Sequence, residues 1–212
     1  MRRLLAAAAL MLVALPAVAD DPPKGYVSLF NGKDLTGWKS TGKMAVWSAD
    51  KGAIICEGGG GGWLLTTREF GDFDLQLEYK MPKGGNSGVA LRAPNDGKDP
   101  AYHGMEIQLI DDEGWPGKLE SWQHTGSIYN VVPAKKINNR PIGEWNKIHI
   151  VCSGRRVKVE QNGDVLVDAN LDEHKDDFKR HPGLTREKGY VGFQSYNKRV
   201  EFRNIFLKEL NK

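Results

Sequence analysis

The stretch Phe73-Asp74-Leu75-Gln76-Leu77-Glu78-Tyr79 changes from apolar to polar at every step. A chain can bury one side of such a run only as a strand, because successive side chains of an extended backbone point to opposite faces. Val89 to Arg92, Met105 to Leu109, Ile148 to Val151, Val157 to Glu160, Val165 to Val167 and Tyr190 to Ser195 repeat the pattern. No long helical periodicity competes with it; only Asp172 to Phe178 reads as a short helix or turn. Gln161-Asn162-Gly163-Asp164 joins two of the runs and signals a tight hairpin. Many short strands broken by Gly and Pro turns predict an all-β sandwich or jelly roll.

In the last run Val200 and Phe202 share one parity, whereas Ile205 and Leu207 share the other. One extra residue near Arg203-Asn204 would return all four to one face, so a β-bulge is expected there. The run Gly58 to Gly62 lacks the Lys-Ser/Thr ending of a phosphate loop and has no helix after it. It reads as a flexible or tightly curved loop. Long irregular stretches follow at Ala93 to Ala101 and Asp111 to Ile128, and such loops edge the binding site of a sandwich.

The chain opens Met1-Arg2-Arg3, continues almost wholly apolar from Leu4 to Leu15, and then reads Pro16-Ala17-Val18-Ala19. A basic start, an apolar middle and a small-residue end make a secretory signal cleaved after Ala19. The apolar run is shorter than the roughly 20 residues a membrane span needs. Residues 1–19 are therefore expected to be removed, leaving residues 20–212 as one domain, exported to a periplasm or beyond the cell. The formal net charge of +3 includes the two leader arginines, and no basic stripe points to nucleic acid. Stable membrane insertion after cleavage is not expected either. Cys56 and Cys152 each end an apolar run; export permits a disulfide, and two separate buried thiols fit equally well.

Parity also defines a polar face. Met105, Ile107 and Leu109 point one way; Tyr102, Glu106 and Gln108 point the other. In Asn86 to Arg92, Val89 and Leu91 oppose Asn86, Gly88, Ala90 and Arg92. In Tyr190 to Ser195, Val191 and Phe193 oppose Tyr190, Gly192 and Gln194. If these strands are neighbours, Asn86, Arg92, Glu106, Gln108 and Gln194 converge beside small residues that leave room above the sheet. Amides, an Arg and a carboxylate suit sugar hydroxyls, each of which donates and accepts. Trp115, Trp122, Tyr129 and Tyr196 could supply a ring platform, while Trp38, Trp47, Trp63 and Trp145 sit beside strands and read as packing. His149 lies inside a strand and reads as structural.

The ordered motifs Leu29-Phe30-Asn31-Gly32-Lys33-Asp34-Leu35-Thr36-Gly37-Trp38, Gly85-Asn86-Ser87-Gly88 with Arg92, Tyr102 to Asp111, Thr125-Gly126-Ser127-Ile128-Tyr129, Gly143-Glu144-Trp145-Asn146, Gln161-Asn162-Gly163 and Phe202-Arg203-Asn204-Ile205 span nearly the whole chain. In these it resembles the 3-keto-disaccharide hydrolase domain family. The resemblance implies a concanavalin-A-like jelly-roll β-sandwich of two antiparallel sheets, with a sugar site on the concave sheet. It implies roles for Asn86, Arg92, Glu106, Gln108, Tyr129 and Gln194, which match the family's polar pattern. Family members often read Gln-x-His-Gly where this chain has Gln194-Ser195-Tyr196-Asn197, so His103 or His124 would have to replace that histidine from a loop.

Ordinary glycosidases use two carboxyl groups. Here the spacing Glu106-x-Gln108-x-x-Asp111 has an amide in the middle, and Asp111 has the opposite parity to Glu106. A 3-keto sugar needs less, because the carbonyl makes the hydrogen on C2 acidic. One base and one enolate stabiliser suffice. Glu106 is the expected base, with Gln108 or Arg92 as stabiliser; Asn86, Arg92, His103, Trp115, Tyr129 and Gln194 are expected to bind the sugar. An oxygen-rich site of this kind could also hold a divalent metal ion. The competing expectation is a lectin-like module that binds carbohydrate without cleaving it.

Overall fold

The alternating runs become the strands of two antiparallel sheets packed face to face in a computed structural model that describes residues 20–210. The leader read at residues 1–19 lies outside the described residues. Numbered in chain order, the larger sheet runs β11 (Asp164–Asn170), β10 (Arg156–Gln161), β9 (Asn146–Ser153), β6 (Phe73–Lys80), β13 (Val200–Glu209), β4 (Ala53–Cys56) and β3 (Trp47–Asp50), with β1 (Val27–Ser28) beside β13. The smaller sheet runs β2 (Trp38–Ser40), β5 (Trp63–Thr66), β12 (Tyr190–Gln194), β7 (Asn86–Ala93) and β8 (Met105–Ile110). This is the all-β jelly-roll sandwich that the pattern predicts.

Alternation explains the core. Leu75, Leu77 and Tyr79 reach inward from the larger sheet, and Val89, Leu91, Met105, Ile107 and Leu109 from the smaller one. Phe193 of β12 stacks on Phe202 of β13 at 4.0 Å between ring centres, and Trp38 stacks on Phe193 at 5.4 Å. Burying such rings supplies much of the drive to fold, at about 25 cal/mol per Å² of apolar surface removed from water.

Turns and irregularities follow the residues that permit them. Asn162 and Gly163 both take positive φ, 50° and 90°, as a two-residue hairpin turn requires. The bulge expected in the last strand is present: Arg203 pairs with Glu78 and Phe206 with Gln76, so one residue of β13 is extra. Asn204 carries it at φ 50°, and Phe202 and Ile205 are both buried as a result. Leu171–Asp177 forms the short helical segment, of the 3-10 kind.

Cys56 and Cys152 are free, buried thiols. Strands β6 and β13 separate β4 from β9, so the two cysteines lie about 14 Å apart across the sheet. Their partners Val200 and Phe73 also meet opposite ends of β13, which places both far beyond disulfide reach. His149 is held between Asp74 at 2.7 Å and Glu160 at 3.1 Å on the outer face of the larger sheet, a structural position.

Candidate active site

On the face of the smaller sheet turned away from the core, register aligns side chains in rows. Trp63, Gln194, Gly88 and Gln108 form one row across β5, β12, β7 and β8; Leu65, Gly192, Ala90 and Glu106 form the next. A cavity of about 230 Å³ stands on this floor. Asn86, Glu106, Gln108, Gln194, Tyr129 and Trp115 all line it, together with Tyr102, Gln123 and Tyr196.

Glu106 is the buried acid of this cavity. It is 2% exposed, and its Oε1 is shut from solvent with no hydrogen-bond partner. Its carboxyl leans over Gly88, where a β-carbon would sit 2.0 Å from Oε1. The glycine thus makes the space that the acid occupies. Burial raises the Glu106 pKa well above 4.5, and the Asp99 carboxylate raises it further. The adjacent amides do not offset this: Gln108 Nε2 donates to Asn86 Oδ1 at 3.4 Å instead. Gly88→Ala is expected to lower turnover about 100-fold by displacing the carboxyl. Stability should fall as well, because Cδ and Cγ of the buried Glu106 would also lie 2.7 Å from the added carbon and must move with the carboxyl; kcat/KM and a melting curve check the pair of outcomes.

Aromatic rings wall the cavity. Tyr129 is placed by its backbone N–H, which donates to the Glu106 carbonyl oxygen at 2.9 Å. Its ring meets Tyr102 edge-on at 6.4 Å and Trp122 at 5.1 Å. Burial raises the Tyr129 phenol, so it remains a hydrogen-bond donor. Tyr102 in turn stacks on His181 at 4.8 Å; His181 is buried and its pKa is lowered by desolvation, which keeps the ring neutral.

Arg92 is elsewhere, which corrects its expected place at the sugar site. It is 1% exposed, pairs with Asp72 at 2.9 Å, and donates to the carbonyls of Gly71, Gly154 and Arg186. Alternation fails here because Arg92 has φ 47°, and β7 carries an extra residue between Ala90 and Ala93 opposite β12. The left-handed residue turns its side chain out of the parity sequence. His103 does not line the cavity either: it ends the one-turn helix α1 (Pro100–His103), whose Tyr102 faces the cavity, and its Nδ1 is buried without a partner. His124 is held by Asp112 at 2.8 Å. Asp111 accepts from the N–H groups of Gly84 and Gly114 and ties two loops together.

Asp99 was missed by the parity argument. It caps α1, accepting from Ala101 N at 3.0 Å, and lines the cavity. The signal was present in Asp99-Pro100, a cap residue before a proline at the first helical position. Among the described residues no three His, Cys, Asp or Glu side chains come together; the cavity's oxygen donors are the carboxyls of Glu106 and Asp99 and the amides of Asn86, Gln108 and Gln194. In a larger hollow of about 370 Å³ on the outer face of the other sheet, Gln76 is paired to Tyr26, His149 to Asp74, and Asn204 to Asp20.

The profile of the 3-keto-alpha-glucoside-1,2-lyase-like domain matches residues 25–208. The chain belongs to this family. A relative from Bacteroides thetaiotaomicron, named 3-keto-disaccharide hydrolase, is 30% identical, with 98% of this chain and 84% of the relative covered. A presumed glycosyl hydrolase from Parabacteroides distasonis shares the fold with a TM-score of 0.78 and 31% identity, covering 89% of this chain and 95% of that one. A carbohydrate-binding module from Bacillus subtilis is similar in fold alone, with a TM-score of 0.55, 14% identity, and 84% and 97% of the two chains covered. Membership of the 3-keto-alpha-glucoside-1,2-lyase-like family places the chain among glycoside-acting enzymes.

Proposed function

We propose that this chain cleaves 3-keto-glycosides by removing the proton on C2 and expelling the group at C1. The observation that carries this reading is a single deeply buried carboxyl, Glu106, set among the amides of Asn86, Gln108 and Gln194. Glu106 takes the C2 proton, and the C–H electron pair enters the enolate of the C3 carbonyl. As the enolate collapses toward C1, the C1–O bond breaks and the leaving oxygen picks up a proton from solvent at the cavity mouth. Water then adds across the new C1–C2 double bond: its hydroxyl goes to C1 and its other proton to solvent, while Glu106 returns the proton it took to C2. Elimination followed by hydration gives net hydrolysis, which accommodates both a lyase-like family and a relative named a hydrolase.

Amides suit the enolate step because their N–H groups stabilise a developing oxyanion without a charge of their own. A raised pKa suits the carbon-acid step, because a weaker acid is a stronger base once ionised. The expected pH dependence follows. Glu106 must be ionised to act, so kcat/KM should rise with pH through an apparent pKa well above 4.5. A rate profile already level between pH 4.5 and neutrality would sink the base assignment.

The direct test compares a 3-keto-glucose disaccharide with its unoxidised parent. Product from the keto form alone supports the reading. Cleavage of the parent would instead assign Glu106 and Asp99 as an acid and base pair of the ordinary glycosidase kind, and binding without product would make the chain a lectin-like module. Export is part of the proposal. Arg2-Arg3, the apolar run from Leu4 and the small residues up to Ala19 support it.

A further inference from the structure

The cavity has two unlike ends. At one end Tyr102 and Tyr129 flank the buried acid, Glu106. At the other, Ile110 of β8 and Asn86 of β7 lie opposite each other, and Trp115 and Tyr196 stand beside them. Four residues of extended strand separate Glu106 from Ile110, about 13 Å, which is longer than one sugar ring. Yet the enclosed volume is about 230 Å³, below the roughly 300–1,000 Å³ of pockets that engulf drug-sized ligands. One ring fits inside, and whatever is attached to it must leave over the far rim.

That rim is aromatic and built to stay in place. Trp115 and Tyr196 lie 6.4 Å apart, and Tyr196 is 51% exposed although its backbone is pinned. Its carbonyl accepts from Gly59 N at 2.8 Å. Next to it, Asn197 accepts from Asn86 N at 3.0 Å and donates to Gly84 O at 2.9 Å. The glycine run is what permits this packing: Gly58 has φ 79°, and a β-carbon there would lie 2.5 Å from Lys198 N. Trp115 is anchored likewise, its N–H donating to Asp111 O at 3.0 Å. The two ring planes are tilted 44° to each other, and rings at a cavity mouth offer apolar area to a ligand.

We infer that Trp115 and Tyr196 form a stacking platform for the leaving group, so that the enzyme encloses one terminal keto-sugar ring and selects substrates whose second moiety is itself a ring. This rests on the reading of the cavity as the keto-sugar site.

The test compares a 3-keto-glucose disaccharide with the matching 3-keto methyl glucoside. Tyr196→Ala is expected to lower kcat/KM for the disaccharide about three- to tenfold beyond its effect on the methyl glucoside. Tyr196→Phe, which keeps the ring, should restore the preference. Equal losses on both substrates, no loss on either, or a failure of the Phe variant to restore the preference would overturn the platform. A calorimetric arm separates this from the reaction itself. Glu106→Gln protein, with and without Tyr196→Ala, is titrated with both sugars in keto and unoxidised forms. If no keto-glycoside is cleaved but the disaccharide still loses affinity selectively, the platform stands and the reaction reading falls. If neither sugar binds the wild-type chain, both fall.

Discussion

Glu106→Gln is expected to lower turnover of a 3-keto-glycoside by about 10²- to 10⁴-fold, the range for loss of a general base, while raising the melting temperature at neutral pH. The two effects have one cause. The cavity holds the carboxyl away from water with no partner at Oε1, so the folded state favours its neutral form. Glu106 binds its proton more tightly folded than unfolded. Its contribution to stability is therefore complete below the ordinary value of 4.5 and is lost as pH rises through the raised folded pKa. A glutamine has the same shape and no charge to desolvate, so it escapes that loss. Wild type and variant should melt alike below pH 4.5 and diverge at neutral pH, with the variant the more stable. Melting curves at several pH values, set beside single-substrate kinetics, check both halves. A variant that melts lower at neutral pH would contradict the burial argument, and unchanged turnover would remove Glu106 from the chemistry.

Arg92→Leu is expected to cost about 3–5 kcal/mol, the usual penalty for breaking a buried ion pair by removing one partner. For a chain of this size that corresponds to a fall in Tm of roughly 6–20 °C. Its guanidinium, 1% exposed, serves Asp72 and three backbone carbonyls from different loops. Asp72 also accepts from Gly154 N at 3.0 Å, so two loops loosen together. Kinetics distinguish this from a role at the sugar. Below the variant's melting point KM should stay within a fewfold of wild type, because Arg92 does not line the cavity. A stable variant with a greatly raised KM would return Arg92 to the substrate.

Strand alternation made much of the site legible. Asn86, Glu106, Gln108 and Gln194 line one cavity because the backbone of β7, β8 and β12 stays extended through those positions and parity counts correctly. At Arg92 the count fails, since a single left-handed residue resets which face the next side chain meets. The same kind of irregularity in β13 was readable, because two buried pairs of opposite parity flank Asn204, whereas only Leu91 and Ala93 flank the bulge in β7. Asp99 escaped for a different reason: its loop has no period, so only the cap chemistry of Asp99-Pro100 could have marked it.

Local backbone geometry let the sequence by itself determine the all-β sandwich, the Asn162-Gly163 hairpin, the bulge at Asn204 and the polar face that carries Glu106. These depend on side-chain direction and turn chemistry within a few residues. Only the tertiary structure decided the raised pKa of Glu106, the burial of Arg92 and the pairing of Trp115 with Tyr196. Desolvation and strand neighbourhood are properties of segments far apart in the chain, brought together by packing, and no local pattern encodes them.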